Sequence, residues 1–452
     1  YGCTGRFASE DNMFPAAGSR SEEVYKRAQR VMPHGSSRKS LYDMRSYAHC
    51  GEGSRIRDID GTYILDGSNN FMVLIHGHRH APTMTALSEQ LGHGLSFGLP
   101  VLGEVLLAEH LCARVASVDH VVFCSSGTEA VMHAMKAARS ITKRQKIAKC
   151  EGLYHGTYDY AEVSNAAPVK PGFQGFPVSR LSSDFGMPHV LEDVVVIPFN
   201  DAAVTEQILR EHAQEIGGIV LDLAPSRVGY VAADPSYVKA LRRLADELGM
   251  LLIFDEVASF RLSYGGAQEL YDVTPDLTAF GKIIGGGMPV GAVGGSAKAM
   301  KIFDPTEKGG VSFTGTFNAH PLTMAAGLAT LNHYRVEDIV ALNKKGDRLR
   351  AMIRSGIAKQ GLPAHVEGSG SFVSIFFAPR MGNGYHAIAH RPEEQALVQR
   401  FWSAAMDRHL LVDVSARLNI STAYSDADVE EAAAAIIESI EEAFNRSQPA
   451  AA

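Results

Sequence analysis

A chain of 452 residues exceeds what one hydrophobic core usually supports, so a large domain and at least one smaller one are expected. Hydrophobic residues make up 46% of it, and the net charge of -7 includes no Lys/Arg block able to follow a phosphate backbone or an anionic bilayer, so neither nucleic acid nor membrane is expected as a partner. Five scattered cysteines (Cys3, Cys50, Cys112, Cys124, Cys150) with no CxxC pair, no apolar run of membrane-spanning length, and a start, YGCTGRFASEDN, without the order of a signal peptide fit reduced thiols in a cytoplasmic enzyme.

Residues 20–32 (RSEEVYKRAQRVM) have helical spacing, and SRIRDIDGTYILDG at 54–67 reads as two short strands around an Asp60-Gly61 turn. From about residue 82, helical patterns alternate with short apolar runs: HVVFC at 120–124, VVVIPF at 194–199, GIVLDL at 218–223, MLLIFDEV at 250–257 and LTAFG at 277–281. That alternation predicts an α/β fold of βα units around a buried, mostly parallel sheet. After about residue 320 the pattern changes. A long helical stretch leads to an amphipathic helix near 338–360, a strand at 371–378 and helices near 393–409 and 426–445, which together read as a separate α+β domain.

Ligands of open parallel sheets sit beyond the carboxyl ends of the strands, and four of those ends carry suggestive residues. HVVFC runs into SSGTEA at 125–130, where Ser126, Gly127 and Thr128 open a helix and offer hydroxyls and backbone N–H groups to a phosphate, or else form an ordinary cap. MLLIFDEV delivers Asp255, a carboxylate that needs a cationic or N–H partner and reads as a catalytic group or a structural ion pair. LTAFG delivers Lys282 before the GGG turn of FGKIIGGGMPVGA. A desolvated amine there is a nucleophile able to form a Schiff base with an aldehyde, and the glycines let backbone approach a bulky ligand. EGLYHGTYD at 151–159 supplies Tyr154 or His155 to lie on a flat ring. A phosphate cup, a carboxylate for a ring nitrogen, an amine for an aldehyde and a stacking aromatic are the four groups pyridoxal phosphate needs.

These segments identify the chain as resembling the class III aminotransferases of pyridoxal-phosphate fold type I. The likeness runs from VMPHGSSR through SSGTEA, YHGTYD, FDEV, FGKIIGGGMPVGA and GTFNAHPLTMAAG to the C-terminal domain. The resemblance implies a large domain with a mostly parallel sheet over 76–333, a small α+β domain over 334–452, and an N-terminal segment, 1–75, packing with the small domain. It implies a homodimer with active sites at the subunit interface, using an amino donor and a keto-acid acceptor. Lys282 would be the Schiff-base lysine, Asp255 the partner of the pyridinium nitrogen, Ser126, Gly127 and Thr128 the phosphate cup, and Tyr154 the stacking ring. Thr316 would reach the phosphate bound in the neighbouring subunit.

Within the family the chain looks most like β-amino-acid (β-phenylalanine-type) aminotransferases and glutamate-1-semialdehyde aminomutases, in which an arginine after the first turn reads a substrate carboxylate. Arg38 in MPHGSSRKS fills that place, with the short spacing of the β-amino-acid enzymes. DLAPSRVG at 222–229 departs from the usual E-P-V/I-x-G, placing Asp222 for a glutamate and adding Arg227. Arg417 in VSARLNIS is a further cation whose segment approaches the cleft in the family. The expected activity is transfer of an amino group from a β- or ω-amino acid to a keto acid, with an aminomutase as the rival. A cofactor-binding module of a transcription regulator is a weaker rival, because no helix-turn-helix segment or basic patch is present. HGHRHAP at 76–82 resembles the family's turn before a helix, so its three histidines, without a carboxylate or cysteine alongside, are not expected to hold a metal.

Overall fold

A computed structural model of the chain describes residues 15–38, 46–170, 173, 175–181 and 187–445. They fall into two units. The first takes Ala81–Val340 and Met381–Ala389; the second takes the described residues of Gly2–His80, Ala341–Arg380 and His390–Ala452.

The first unit is built on seven strands: β1 (His120–Cys124), β2 (Lys146–Cys150), β3 (Val194–Ile197), β4 (Ile216–Leu221), β5 (Leu251–Asp255), β6 (Leu277–Gly281) and β7 (Gly291–Gly295). Their spatial order is β1-β7-β6-β5-β4-β2-β3. Five of them, β3-β2-β4-β5-β6, pair in parallel, while β7 lies antiparallel between β1 and β6. β3, β4 and β6 are buried along their whole length with no solvated face, as sheets covered on both sides require.

One covering helix, Gly127–Thr142, buries Ala130, Val131, Ala134, Met135, Ala137 and Ala138, a stripe at helical spacing. The stripe packs with Val220, Ile253, Leu277, Ala279 and Val293 of the sheet. Burying each large aliphatic side chain contributes about 1.5–3 kcal/mol. The small alanines set the distance: a Cβ on Gly218 would stand 2.9 Å from the Ala138 Cβ, so enlarging either residue would push the helix off the sheet.

Two strands escaped the sequence reading, β2 and β7. KIAKC carries two lysines, and GAVGG looks like a loop. The glycines of β7 are sterically required, since a Cβ on Gly291 would lie 1.9 Å from the Ser126 carbonyl oxygen and one on Gly295 would lie 2.5 Å from that of Asp276. Register brings the functional ends to one edge of the sheet. Gly291 faces both Cys124 of β1 and Gly281 of β6, and Asp255 of β5 faces Ala279 of β6.

In the second unit, strands Ala48–Glu52, Arg55–Asp58 and Tyr63–Asp66 form an antiparallel sheet, extended by Leu410–Leu411 in parallel. A second antiparallel sheet joins His365–Glu367, Phe372–Phe376 and Arg417–Asn419. The helices Gln395–Asp407 and Asp426–Asn445 close on predicted segments, and Arg55 ties the first sheet to the latter through Asp428 at 3.0 Å. Among the described residues no helix is long and apolar enough to cross a membrane. The four described cysteines are free thiols, Cys124 and Cys150 buried, Cys112 partly so and Cys50 exposed; Cys3 lies outside the described residues.

Candidate active site

β5 ends in Asp255, which is only 5% exposed. Its Oδ1 accepts the Val257 N–H at 3.1 Å, and its Oδ2 lies 2.7 Å from His155 Nδ1. His155 is buried, and burial lowers its pKa more than the neighbouring carboxylate raises it. The imidazole is therefore neutral at pH 7, its Nδ1–H donating to Asp255. Among the described residues its Nε2 has no hydrogen-bond partner.

β6 ends in Gly281 and leads into Lys282, whose φ of 52° is left-handed. A non-glycine residue held there costs on the order of 1 kcal/mol, a strain that persists where the surrounding structure over-determines it. The surrounding structure here is the tight turn Lys282–Gly285, closed by Gly286 at φ 59°. Asp222, one residue past β4, completes the group. It is buried, its Oδ1 accepts the Ala224 N–H at 2.9 Å, and its carboxyl is raised well above the usual range, first by burial and then by Asp255; Lys282 pulls the other way.

The helix Gly127–Thr142 begins a short distance away: a Cβ on Gly281 would lie 3.5 Å from Gly127 Cα. Ser126 is its N-cap, accepting the Glu129 N–H at 3.2 Å, and Glu129 answers by accepting from Ser125 N and the Ser126 hydroxyl. The Ser126 hydroxyl is thus engaged in the cap, so the donors that suit a phosphate are the N–H groups of Gly127 and Thr128 and the Thr128 hydroxyl. Gly127 has no room for a side chain, because a Cβ would stand 2.7 Å from Val257 Cγ1.

The loop after β2 is pressed against this helix end. Thr157 N–H donates to Thr128 Oγ1 at 3.4 Å, and a Cβ on Gly156 would lie 2.7 Å from the same oxygen. The loop turns His155 inward to Asp255 and leaves Tyr154 41% exposed, with the Arg227 guanidinium 6.0 Å from the Tyr154 ring centre.

Sequence reasoning passed over the residue that fixes this loop. Lys149, in β2, is wholly buried, and its ammonium donates to the carbonyls of Leu153 at 3.2 Å and Val163 at 2.6 Å, bridging the base of the loop that carries Tyr154 and His155. Burial pushes its pKa down to about 7. The readable signal was a lysine inside the apolar run KIAKC, immediately before EGLYHG. A second support had no signal at all. In Met381–Ala389, Tyr385 packs on Gly152 and donates to the Ala167 carbonyl at 2.7 Å, while His386 meets Glu151 at 3.0 Å.

The first unit therefore gathers Ser126, Gly127, Thr128, Tyr154, His155, Arg227, Asp255 and Lys282 at one sheet edge; it also carries Thr316, on an exposed loop beside the exposed Phe317. Arg38 and Arg417 belong to the second unit. Arg38 is exposed, its Nη1 donating to Asn70 Oδ1 at 2.9 Å, and Arg417 pairs with Asp413 at 2.8 Å. The HGHRHAP histidines are more engaged than their sequence suggests: His78 meets the buried carboxylate of Asp66 at 2.8 Å, and His76 meets Thr422 at 2.9 Å. Among the described residues no group of three or more His, Cys, Asp or Glu side chains could hold a metal.

A lysine, a carboxylate backed by histidine and a helix N-terminus with glycine at its first turn lie together at the carboxyl edge of the sheet, the kinds of group that pyridoxal phosphate needs. The chain belongs to the class III aminotransferases, whose family model matches residues 39–411, and its cofactor is pyridoxal phosphate. It is 33% identical over 427 residues to a glutamate-1-semialdehyde 2,1-aminomutase of Methanosarcina acetivorans, covering 93% of this chain and 98% of that one. An omega-transaminase from Sphaerobacter thermophilus superposes with a TM-score of 0.91 at 41% identity, covering 95% of this chain and 98% of that one. A beta-phenylalanine aminotransferase from Variovorax paradoxus superposes with a TM-score of 0.84 at 30% identity, covering 93% of each chain.

The donor set fits the cofactor: a cradle at Gly127 that a Cβ would fill, an anionic acceptor in Asp255 and an amine in Lys282.

Proposed function

We propose that the chain is an aminotransferase that moves an amino group from a carboxylate-bearing amine, a β- or ω-amino acid, to a keto acid. The observation that carries this reading is the buried Asp255–His155 pair at 2.7 Å, in one electrostatic group with buried Asp222 and part-buried Lys282. When bound, pyridoxal phosphate supplies an electrophilic aldehyde and a ring that accepts electrons.

Lys282 Nζ would hold the cofactor and is the base that would take and return the substrate's proton. Neutral His155 donates to Asp255 and fixes the carboxylate's orientation, so that Asp255 would be the group to pair with the cofactor's ring nitrogen. The N–H groups of Gly127 and Thr128 would hold the phosphate, and Tyr154 would supply the stacking ring. Arg38 reads the donor's carboxylate, and Arg227 and Arg417 are the further cations that a second acidic group would engage.

We further propose a homodimer with shared sites. Leu95, Phe97, Leu99, Leu102 and Val105 are large apolar residues exposed within one short stretch, with Leu99 at 77%, and Phe317 beside Thr316 is exposed as well. Mixing Lys282→Ala chains with Thr316→Ala chains tests the sharing, since heterodimers would collect both defects in one site and recover activity in the other.

The second reading is an aminomutase, favoured by the 33% identity to the Methanosarcina enzyme. The higher identity to the omega-transaminase and the short spacing before Arg38 support the transaminase. Acceptor dependence decides between them. Purified protein is assayed with α-, β- and ω-amino donors, with and without pyruvate or 2-oxoglutarate; turnover of an amino aldehyde without acceptor would establish the mutase.

A further inference from the structure

The strands β4 and β5 run parallel, and Leu221 of one is paired with Phe254 of the other. The next residue on each is an aspartate, so Asp222 and Asp255 stand at neighbouring strand ends. Both are nearly out of water, at 6% and 5% exposure. Two carboxylates so placed repel strongly in a low dielectric, and such a pair holds one proton between its members.

Hydrogen bonding decides which member keeps it. Asp255 is the better-stabilised anion, its Oδ1 accepting the Val257 N–H and its Oδ2 the Nδ1–H of His155. Asp222 accepts the Ala224 N–H, and among the described residues no further donor reaches it. The other groups that face Asp222 do not reverse this. Tyr271 and Cys150 are uncharged, since burial pushes the phenol up and the thiol up to about 12. Glu256 is a third carboxyl, engaged by the N–H groups of Ala267 and Gln268 at 2.6 and 3.0 Å and by the Gln268 amide at 2.8 Å, and it adds to the pressure on Asp222. Lys282 favours the ionised form, but less than burial and Asp255 oppose it.

We infer that Asp222 and Asp255 share one proton, that Asp222 keeps it, and that Asp222 is thereby a positioning residue: it confines the negative charge of this sheet edge to the carboxylate that His155 orients. Were the proton to sit on Asp255 instead, that side chain would be neutral and could not stabilise a charged ring nitrogen. The inference rests on the reading of Asp255 as the partner of the cofactor's ring nitrogen.

Infrared spectroscopy of the full chain, isotope-labelled at the aspartate carboxyls, reads the proton directly, because a protonated carboxyl and a carboxylate absorb apart. Spectra are taken across pH, with the cofactor bound and after its removal, for wild type, Asp222→Asn and Asp255→Asn. The wild type is expected to show a protonated aspartate at neutral pH in both forms, and Asp222→Asn to lose that band. In Asp255→Asn the band should titrate about one pH unit or more lower, because the repulsion is gone. In kcat against pH, Asp222→Asn should lack the alkaline limb that ionisation of Asp222 contributes to the wild type. A band that survives Asp222→Asn and vanishes in Asp255→Asn would put the proton on Asp255, and no band in the wild type would make both residues anions. An unmoved titration in Asp255→Asn would deny the coupling, and an unchanged alkaline limb in Asp222→Asn would deny the proton a part in turnover. Each of these results overturns the inference. Should Asp222→Asn not fold, the shift in Asp255→Asn decides alone. If Asp255→Asn keeps near-normal kcat while its band shifts, the reading of Asp255 falls and takes the positioning role with it, leaving only the shared proton.

Discussion

Asp255, His155 and Lys149 in the first unit are each almost wholly out of water and held by strand ends, buried rings and carbonyls, whereas Arg38 in the second unit is exposed and donates to the amide of Asn70. The two regions meet different demands. A group that must stay fixed throughout a reaction benefits from burial, because low dielectric magnifies each interaction that orients it. A group proposed to bind and release a carboxylate is better left hydrated, since desolvating a guanidinium is costly. Substitutions in the buried set should therefore strike all substrates alike, and those in the exposed set should sort substrates by charge.

The largest effect is expected at Lys282. Lys282→Ala should abolish turnover of every donor while leaving folded protein that still takes up cofactor through the Gly127–Thr128 helix end. Borohydride reduction of the wild type followed by peptide mapping checks the assignment, and a pyridoxyl label on any other lysine would refute it. Next comes Asp255→Asn. It should keep the cofactor but lose on the order of a thousandfold in kcat for amines and amino acids equally, because each unit of lost bias toward the protonated ring nitrogen is worth about 1.4 kcal/mol. Near-normal kcat would reduce Asp255 to an anchor for His155.

Arg38→Ala is expected to break the symmetry between donors. Removing charge-assisted hydrogen bonds should cost about 1.5 to 3 kcal/mol, or roughly ten- to a hundredfold in kcat/KM, for carboxylate-bearing donors and far less for simple amines. Arg227→Ala and Arg417→Ala should show smaller losses, confined to donors or acceptors with a second acidic group. A uniform loss in the Arg38 variant would leave the carboxylate reader to be found elsewhere.

The same division governs what the sequence made legible. Groups at strand ends could be named because an apolar run followed by a charged or hydroxyl residue is a local pattern: Asp255 after LLIF, Lys282 after LTAFG and Ser126 after HVVFC. Partnerships between distant segments could not. Nothing in YHG says that His155 turns inward to a carboxylate 100 positions later while Tyr154 faces out, and nothing in RMGNGYHAI says that Tyr385 packs on Gly152. β7 was hidden because glycine, normally a strand breaker, is what the close passage of Ser126 and Asp276 requires. Lys149 was hidden because a lysine in a strand reads as a solvated edge, and only the carbonyls of Leu153 and Val163 turn it into an interior residue.

The smallest expected effect sharpens the comparison from the buried side, through Lys149. Its pKa is about 7 in the folded chain against a usual value of 10.5, so across that window the unfolded chain holds a proton that the folded chain releases. Unfolding free energy attributable to this group therefore rises with pH between 7 and 10.5, by at most about 1.4 kcal/mol per pH unit, and is flat below that window. Lys149→Met removes the dependence. Relative to wild type, the variant should be at its most favourable at pH 6, with its advantage in thermal midpoint shrinking steadily between pH 7 and 9. The same substitution strips a donor from two carbonyls at the base of the loop, so hydrogen exchange over 152–164 should quicken while β5 and β6 stay protected. Lys149→Gln, which keeps N–H donors one bond shorter, should share the pH behaviour and lose less of the protection. A midpoint difference that does not vary with pH would mean that Lys149 stays charged across the range, and exchange that quickens evenly over the whole unit would mean that it supports the sheet and not the loop.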